Sequence, residues 1–223
     1  MSITIHNYSD RDIYPKTSQR LINVLSDLLM QGRKTLLLLS GGSSVNLYGY
    51  LAEYLNHSRP ALLSIAQVDE RFKPDQSSDI NARAIKIMGI PYYIISQEGS
   101  VEKSAEEYNE TIGRLWKEYD YKIAVLGIGE DCHTAGLIPG YRKLWDKQKL
   151  TIGYSLTIGQ KSAYADFCPQ GFKQRITVTP KLLEELDYAL IVAAGEEKKE
   201  AIENALKKEN LQDLNKYPAA IIQ

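Results

Sequence analysis

Short apolar runs alternate with amphipathic segments along most of this chain, and that alternation limits the folds open to it. Thr35–Leu39 and Ile123–Ile128 are continuous apolar runs, typical of strands buried on both faces. Ser104–Tyr119 instead places its apolar residues on one helical face. Such strands occur in parallel sheets that helices cover on both sides. The sequence therefore predicts an α/β fold: a single domain over residues 1–223 with a mostly parallel, Rossmann-like, doubly wound sheet flanked by helices on both faces.

The same patterns give the expected order of elements. Strands are expected at Ile3–Tyr8, Thr35–Leu39, Leu62–Val68, Ile123–Ile128, Arg175–Thr179, Tyr188–Ala194 and Ala219–Ile222. Helices are expected at Thr17–Gln31, Val45–Leu55, Ile80–Met88, Ser104–Tyr119 and Glu197–Lys207. The stretch from Gly140 to Gln174 has scattered apolar residues and gives no clear pattern.

Composition and charge exclude several classes of protein. With 43% hydrophobic residues, 25% charged residues and a net charge of −1, the chain is globular and shows no basic footprint for nucleic acid. Its longest apolar stretch, Tyr188–Ala194, is far shorter than the ~20 residues that cross a membrane. The first ten residues lack the basic and apolar regions of a secretory signal. We expect a cytoplasmic protein that binds neither nucleic acid nor membrane; the sequence does not indicate its oligomeric state.

The metal-ligating and disulfide-forming residues are sparse. Cys132 and Cys168 are the two cysteines of the chain, too few for a disulfide framework. No CxxC or HxxxH pair indicates a structural metal site. We therefore expect no bound metal.

Four polar clusters each follow directly on a predicted strand. They are Ser40–Ser44, Asp69–Arg71, Gly129–His133 and Gly195–Lys198. In open parallel sheets, the ligand crevice lies at the carboxyl ends of the strands. If these strands are parallel, the clusters meet at one edge of the sheet, and together they predict a shared site.

The first cluster has the features of an anion-binding turn. Gly41 and Gly42 let the main chain turn sharply, so that N–H groups near Ser43 can point at an anion at the start of the next helix. An ordinary glycine-rich turn with Ser44 as the helix N-cap is equally compatible with these residues. The cluster is neither a Walker A loop nor a GxGxxG fingerprint.

The second and fourth clusters supply charged side chains. Asp69 could bind sugar hydroxyls and Arg71 a phosphate, which suits the guanidinium fork, although a surface salt-bridge cluster is the alternative. Lys198 lies in the first turn of a predicted helix, where the helix dipole disfavours a cation. An anionic ligand could offset that cost, but so could Glu196 and Glu197.

The third cluster contains the candidate for acid–base chemistry. His133 follows a buried strand, and Asp131 lies two residues before it. A carboxylate beside an imidazole orients the ring and raises its basicity, as a general base requires. A capped loop histidine is the alternative without chemistry. A Cys132–His133 nucleophile pair is disfavoured because adjacent side chains usually diverge, and a metal site would need a third ligand that the spacing does not supply.

Taken in chain order, these motifs resemble those of the 6-phosphogluconolactonase family, whose superfamily also contains glucosamine-6-phosphate deaminase. The matching segments lie between about residues 36 and 222 and so cover most of the chain. They are Ser40–Val45 for S-G-G-S-T-P, Asp69–Pro74 and Asn81 for D-E-R-x-V-P and S-N, Gly127–Gly140 for G-x-G-x-D-G-H-x-A-S-L-F-P-G, Arg175–Thr179 for R-I-T-x-T, Gly195–Lys198 for G-x-x-K and Pro218–Ala219 for P-A.

The chain departs from the family pattern at a few positions. Cys132 replaces the glycine between the aspartate and the histidine, Gly136 a serine, Ile138 a phenylalanine and Val45 a proline. The cysteine matters most, because a Cβ is costly if that position requires a positive φ. The stretch from 140 to 174 matches the family only weakly.

The resemblance implies a lactonase that opens 6-phosphogluconolactone to 6-phosphogluconate in the oxidative pentose phosphate pathway, with no metal or redox cofactor. The substrate phosphate would lie on the main chain of Gly41–Ser43 with Arg71 and Lys198. His133, oriented by Asp131, would take a proton from the attacking water.

Two other activities stay open within the superfamily. An amino-sugar phosphate deaminase/isomerase usually has an I-A-F-N-E-P segment with a glutamate, which is absent from Thr134–Pro139, and D-E-Y where this chain has Asp69–Arg71. A non-catalytic sugar-phosphate sensor would carry a helix-turn-helix module, for which the chain has no room before its first strand. The presence of both Asp131 and His133 also favours catalysis over sensing.

Overall fold

The fold is built from eight strands and seven α-helices in the part of the chain that the computed structural model describes, which is residues 4–58, 61–73, 81–86, 92–156 and 173–223. In chain order the strands are β1 (Thr35–Leu39), β2 (Leu63–Gln67), β3 (Asp69–Arg71), β4 (Tyr92–Tyr93), β5 (Tyr121–Gly127), β6 (Thr151–Ser155), β7 (Gln174–Val178) and β8 (Tyr188–Val192). The helices are α1 (Ile13–Met30), α2 (Tyr48–Ser58), α3 (Ala82–Lys86), α4 (Val101–Glu118), α5 (Arg142–Trp145), α6 (Pro180–Glu184) and α7 (Lys199–Leu206).

A five-stranded parallel sheet forms the centre of the molecule, in the order β4–β2–β1–β5–β8. All residues of β1 are buried, and alternate side chains point to opposite faces. Leu36 and Leu38 pack on the side of α4, whereas Leu37 and Leu39 pack with side chains of α1 and α2. This confirms the predicted α/β fold with a parallel sheet covered on both faces.

A second, three-stranded antiparallel sheet of order β3–β7–β6 lies on the α4 side of the molecule, and the sequence did not predict it. The predicted strand at Arg175–Thr179 is real, but it belongs to this sheet. Asp69–Arg71, expected as a loop cluster, forms β3. Gly153 of β6 permits close packing on α4, because a Cβ there would lie 2.6 Å from the main-chain oxygen of Val101.

Two predicted strands are wrong. Residues 4–9 have no regular secondary structure, and most of them are exposed on both sides, so no apolar face is available to drive strand formation. Ala219–Ile222 belongs to a 3₁₀ helix over Pro218–Ile222. Pro218 starts that helix at a position where its missing N–H costs nothing.

The other predicted elements are confirmed where the structure describes them, and apart from Thr35–Leu39 their ends are shifted. The predicted helix at Val45–Leu55 begins as a 3₁₀ helix over Gly42–Leu47 and continues as α2. Pro74, Cys168 and parts of the predicted helix at Ile80–Met88 and of the stretch 140–174 lie outside the described residues. No helix in the described ranges is long and apolar enough to cross a membrane.

The chain passes from the parallel to the antiparallel sheet between β2 and β3, and buried hydrogen bonds fix this junction. The Tyr108 hydroxyl, on α4, donates to the main-chain oxygen of Gln67 at 2.6 Å and accepts from its N–H at 2.7 Å. The Gln67 side chain accepts from the N–H of Ile95 at 2.6 Å and donates to Glu70 at 2.7 Å. These bonds hold the two sheets in one relative position.

Replacing Tyr108 by Phe should lower the free energy of unfolding by about 1–3 kcal/mol, because it leaves the buried N–H and oxygen of Gln67 unpaired. Urea unfolding followed by circular dichroism measures the change. Tyr50→Phe, at a 46% exposed position of α2, is the matched control and should shift stability by less than about 0.5 kcal/mol. Equal stability of the two variants would contradict the role given to Tyr108.

Candidate active site

One cleft of about 360 Å³ lies at the carboxyl ends of the parallel strands, beside one face of the antiparallel sheet. It brings together members of all the polar clusters predicted from the sequence. The residues proposed for the site all line it: Gly41, Gly42, Ser43, Asp69, Arg71, Asp131, His133 and Lys198. The four clusters therefore meet at one edge of the parallel sheet, as expected. That they form a functional site, and the role of each residue in it, stay predictions.

The glycine loop and Lys198 form one wall of the cleft. Gly42 has a φ of +61°, and a Cβ on Gly41 would lie 1.8 Å from Oδ1 of Asn81, so both positions require glycine. The Lys198 ammonium donates to Oγ of Ser43 at 3.1 Å and thereby joins the first and fourth clusters. Ser44 is not an N-cap: it lies within the 3₁₀ helix, and its buried Oγ has no hydrogen-bond partner among the described residues.

Alternation along β3 explains why Asp69 and Arg71 face the cleft while the residue between them does not. Side chains two apart on a strand share a face. Glu70 points away, and its carboxylate accepts from the N–H groups of Arg71 at 2.8 Å, Asn81 at 2.8 Å and Ala82 at 2.9 Å. Glu70 is thus a structural residue that ties the start of α3 to β3.

Asp69 lines the cleft with several charged groups near it. It is buried, and burial raises the pKa of its carboxyl above the ordinary value. The nearby charges of Arg175, His133 and Arg71 oppose that rise. Asn81 donates to the main-chain oxygen of Asp69 at 3.0 Å and helps to fix its position.

A tight loop after β5 holds His133 beside Asp131. The N–H of Gly129 donates to the main-chain oxygen of His133 at 2.9 Å, and the N–H of Cys132 donates to that of Gly129 at 2.9 Å. A Cβ on Gly129 would lie 2.1 Å from Cε1 of His133, so the glycine makes room for the ring. Because these bonds bring His133 back beside Gly129, its imidazole lies in the cleft.

Asp131 fixes the His133 ring through a hydrogen bond from Nδ1 and also accepts from the His133 main-chain N–H at 3.1 Å. Burial disfavours the ionised carboxylate, but the hydrogen bonds and charge of His133 outweigh it and hold the pKa of Asp131 below its ordinary value. An ionised Asp131 accepts a proton-bearing Nδ1. Nε2 is then the unprotonated nitrogen and can accept a proton.

Cys132 has the backbone geometry that the family glycine suggested. Its φ is +67°, a conformation that L-residues with a Cβ rarely adopt. Its thiol is buried, and burial raises the pKa of that thiol to about 11. The sulfur lies 3.6 Å from the main-chain oxygen of Ala201, and the Cys132 oxygen accepts from the N–H of Ala219 at 2.9 Å. Because the thiolate is the reactive form, we expect this cysteine to react slowly at neutral pH.

Several cleft residues were not among the predicted site residues. Arg175 and Asn81 contribute polar groups, and Ile138, Tyr141 and Leu156 form an apolar wall. Arg175 was detectable: an arginine in an otherwise strand-like run is a polar side chain that needs a reason to be buried. The apolar wall was not, because two of its members lie in the stretch that gave no clear pattern.

No three His, Cys, Asp or Glu side chains group as a metal site requires within the described ranges. The two aspartates of the cleft instead face nitrogen-bearing side chains: Asp131 accepts a hydrogen bond from His133, and Asp69 lies near the charges of Arg175 and Arg71.

The model of one protein family matches residues 9–223, nearly the whole chain, and is described as glucosamine-6-phosphate isomerases/6-phosphogluconolactonase. The chain belongs to this family. Its resemblance to the lactonases, read from the motifs, is thereby confirmed at the level of the family.

Individual members of the family support the same placement. The chain is 26% identical to the 6-phosphogluconolactonase of Xylella fastidiosa (strain 9a5c), over 97% of this chain and 89% of the relative. In fold it is similar to a 6-phosphogluconolactonase from Thermotoga maritima, with a TM-score of 0.74 at 22% identity over 95% and 90% of the two chains. It is also similar to a monomeric glucosamine-6-phosphate deaminase, with a TM-score of 0.64 at 18% identity over 94% and 89%. The fold is thus common to both activities of the family.

Replacing Cys132 by Gly should give a more stable protein than replacing it by Ala. Both changes remove the buried sulfur, but only glycine relieves the strain of the positive φ, worth about 1 kcal/mol. At an ordinary position the order is reversed, since glycine costs ~0.5–1 kcal/mol relative to alanine. Urea unfolding of the two variants measures the difference.

Turnover of the same two variants tests whether the thiol takes part in chemistry. Both should retain activity within about tenfold of the natural protein, a change of ~1.4 kcal/mol in the barrier. A loss in both variants as large as that of a His133 variant would make Cys132 a reactive group.

Proposed function

We propose that this protein hydrolyses 6-phosphogluconolactone to 6-phosphogluconate, as the names of its relatives suggest. The observation that carries the proposal is the Asp131–His133 pair in a cleft whose walls also present Arg71 and Lys198. A base with a free nitrogen and cations for a phosphate are the two requirements for hydrolysing a phosphorylated lactone without a covalent intermediate.

In this mechanism, Nε2 of His133 takes a proton from water as the water oxygen attacks the lactone carbonyl. Asp131 holds the ring in the required tautomer and stabilises the imidazolium that forms. The tetrahedral oxyanion then collapses with cleavage of the bond to the ring oxygen. His133 returns its proton to that oxygen, so the product is the open-chain acid and the base is regenerated.

The phosphate is assigned to the wall formed by the glycine loop. Lys198 already donates to Ser43, and a phosphate seated there would replace the serine hydroxyl with a fully charged partner. Gly41 and Gly42 have no side chains, so the main-chain N–H groups of this loop can approach the same anion. Asp69 lines the same cleft and can accept hydrogen bonds from sugar hydroxyls.

The deaminase of the same family is the competing activity. The segment Thr134–Pro139 carries no glutamate, and its cleft-facing side chains, Ala135 and Ile138, are apolar. In this segment the cleft therefore lacks the glutamate that the deaminase motif of the family supplies for opening the ring of an amino sugar.

We also propose a cytoplasmic location, a small sugar-phosphate lactone as the partner of the site and no cofactor. These rest on the sequence and on the family; the mechanism above requires neither a metal nor a redox group.

The direct test of the function is hydrolysis of freshly prepared 6-phosphogluconolactone, compared with its spontaneous opening in buffer and with the unphosphorylated lactone. We expect acceleration of the phosphorylated substrate and weak acceleration of the other. Release of ammonia from glucosamine 6-phosphate, without acceleration of lactone opening, would instead assign the deaminase activity.

Replacing His133 by Ala should lower kcat by about 10²–10⁴-fold, the usual contribution of a positioned general base. His57→Ala is the matched control, because that histidine is exposed on α2 and its hydrogen bond among the described residues is to the main-chain oxygen of Glu53 in its own helix. Steady-state kinetics measure both variants. Near-normal turnover by a folded His133→Ala protein would remove the residue from the mechanism.

Replacing Lys198 by Ala should raise KM for the phosphorylated lactone by about 10- to 100-fold, since a charge-assisted bond to phosphate contributes ~1.5–3 kcal/mol. The unphosphorylated lactone should be nearly unaffected. Lys199→Ala, at the next and exposed position, is the control. An equal loss on both substrates would refute a phosphate-specific role for Lys198.

A further inference from the structure

A tight turn over Thr134–Leu137 follows His133 directly and forms part of the cleft wall. The N–H of Leu137 donates to the main-chain oxygen of Thr134 at 2.9 Å and closes the turn. Its second residue, Ala135, lines the cleft and has a φ of +51°. Residues with a Cβ rarely adopt this conformation, and turns that require it at their second position favour glycine. The turn is therefore strained and persists only because other contacts hold it.

Two side chains of the antiparallel sheet hold this turn at Gly136. The N–H of Gly136 donates to Oγ1 of Thr177, on β7, at 2.9 Å. Its main-chain oxygen accepts from the hydroxyl of Tyr154, on β6. Thr177 and Tyr154 are both buried. Both main-chain groups of Gly136 are thus bonded to side chains at a place where water does not compete for them.

The Thr177 hydroxyl has a fixed orientation and a defined place in the sheet. Its Oγ1 donates to the main-chain oxygen of Val178 at 3.0 Å, which leaves a lone pair for the N–H of Gly136. Thr177 pairs in register with Asp69 of β3, and Asp69 lines the cleft. The turn after His133 is therefore attached to the part of the antiparallel sheet that borders the cleft.

The absence of a side chain at Gly136 makes this attachment possible. A Cβ there would lie 2.7 Å from Cβ of Thr177 and 3.0 Å from its Oγ1. The serine that the family pattern has at this position would not fit unless the turn moved away from β7. The departure from the family pattern at Gly136 therefore allows the close contact with Thr177.

The turn is bonded closely enough to His133 to set the position of that residue. Thr134, the next residue, is fully buried, and its Oγ1 donates to the main-chain oxygen of Gly127 at 2.9 Å. The main-chain oxygen of His133 accepts from the N–H of Gly129. The main chain of His133 thus lies between a loop that is bonded to the end of β5 and a turn that is bonded to the antiparallel sheet.

We propose that Thr177 and Tyr154 are positioning residues of the reaction. By holding Gly136, they fix the main chain after His133 and so the place of its imidazole in the cleft. The proposal rests on the lactonase function, in which His133 is the base. Neither Thr177 nor Tyr154 is among the described residues that line the cleft, so both act through His133 and not on the substrate.

The alternative is that the two bonds contribute to stability alone. Loss of the Thr177 hydroxyl would then lower the free energy of unfolding, while the folded protein would turn over normally. Thr179→Val is the matched control for that role. Thr179 is as fully buried as Thr177, and its hydroxyl donates to the main-chain oxygen of Lys149 at 2.6 Å and not to the turn.

The test compares the steady-state kinetics of Thr177→Val and Thr177→Ser with those of the natural protein, at a temperature at which all are folded. We expect Thr177→Val to lower kcat by about 10- to 100-fold and to leave KM within about threefold, since displacement of a catalytic group by ~1 Å costs about 100-fold. Thr177→Ser keeps the hydroxyl and should recover most of kcat. A normal kcat in Thr177→Val, or an equal loss in Thr179→Val, would overturn the proposal.

NMR signals of the His133 ring nitrogens separate this inference from the proposed function, because they require no turnover. The chain has three histidines, and His133→Ala assigns the signals. At mildly alkaline pH, where imidazoles are neutral, the natural protein should show a proton on Nδ1 and none on Nε2. Thr177→Val should show a mixture of the two tautomers, and Thr179→Val the natural pattern.

The two readouts together distinguish the outcomes. If the natural protein accelerates neither lactone but Thr177→Val alone shows mixed tautomers, the function fails and the positioning role stands. If the natural protein is a lactonase and Thr177→Val keeps its kcat or its natural ring signals, the positioning role fails and the function stands.

A second variant covers the case in which Thr177→Val does not fold. Tyr154→Phe removes the other bond to Gly136 and should likewise lower kcat, mix the tautomers of the His133 ring and change KM little. A folded Tyr154→Phe protein with normal kcat and the natural ring signals would overturn the proposal.

Discussion

The cleft depends on the buried junction at which the chain leaves one sheet and enters the other. The Tyr108 hydroxyl bonds both main-chain groups of Gln67, and the side-chain amide of Gln67 donates a hydrogen bond to Glu70. Glu70 in turn anchors the N–H groups of Asn81 and Ala82. One face of the cleft belongs to the antiparallel sheet and the other to the edge of the parallel sheet, so the width of the cleft is set by bonds that touch no ligand. Their low exposure makes them strong, since water does not compete for these groups.

The parallel half of the molecule was predictable because its signals are local. The apolar run of β1 gave both ends of the strand correctly, and a polar cluster after each of several strands located the site. The antiparallel half was not predictable in the same way. β3 is a short charged segment with no apolar run, and its partner β7 lies far along the chain, so only tertiary contact reveals the pair. Ala219–Ile222 was predicted as a strand because it is apolar, but it lies in a 3₁₀ helix, where Ala219 packs with Cys132 of the His133 loop and Ala220 packs in the core on the α4 side.

Close approach and positive φ recur around the ligand-facing residues. Gly41 admits Asn81, Gly129 admits the ring of His133, and Cys132 and Ala135 adopt a positive φ despite their Cβ atoms. Strained backbone of this kind persists only where the surrounding contacts over-determine it. Here the contacts are main-chain bonds within the loop after β5 and a bond from Ala219, which together fix the imidazole before any substrate arrives. Pre-organisation of this kind reduces the ordering that binding would otherwise require.

The bond from Ala219 to the oxygen of Cys132 joins the loop after β5 to a segment made much later in synthesis. On a ribosome, β1, β2 and β5 are available for pairing well before residues 218–222 leave the exit tunnel. The loop therefore lacks its support while the parallel sheet is already able to form. The strands of the parallel sheet can therefore pair before the loop that carries His133 receives its bond from Ala219.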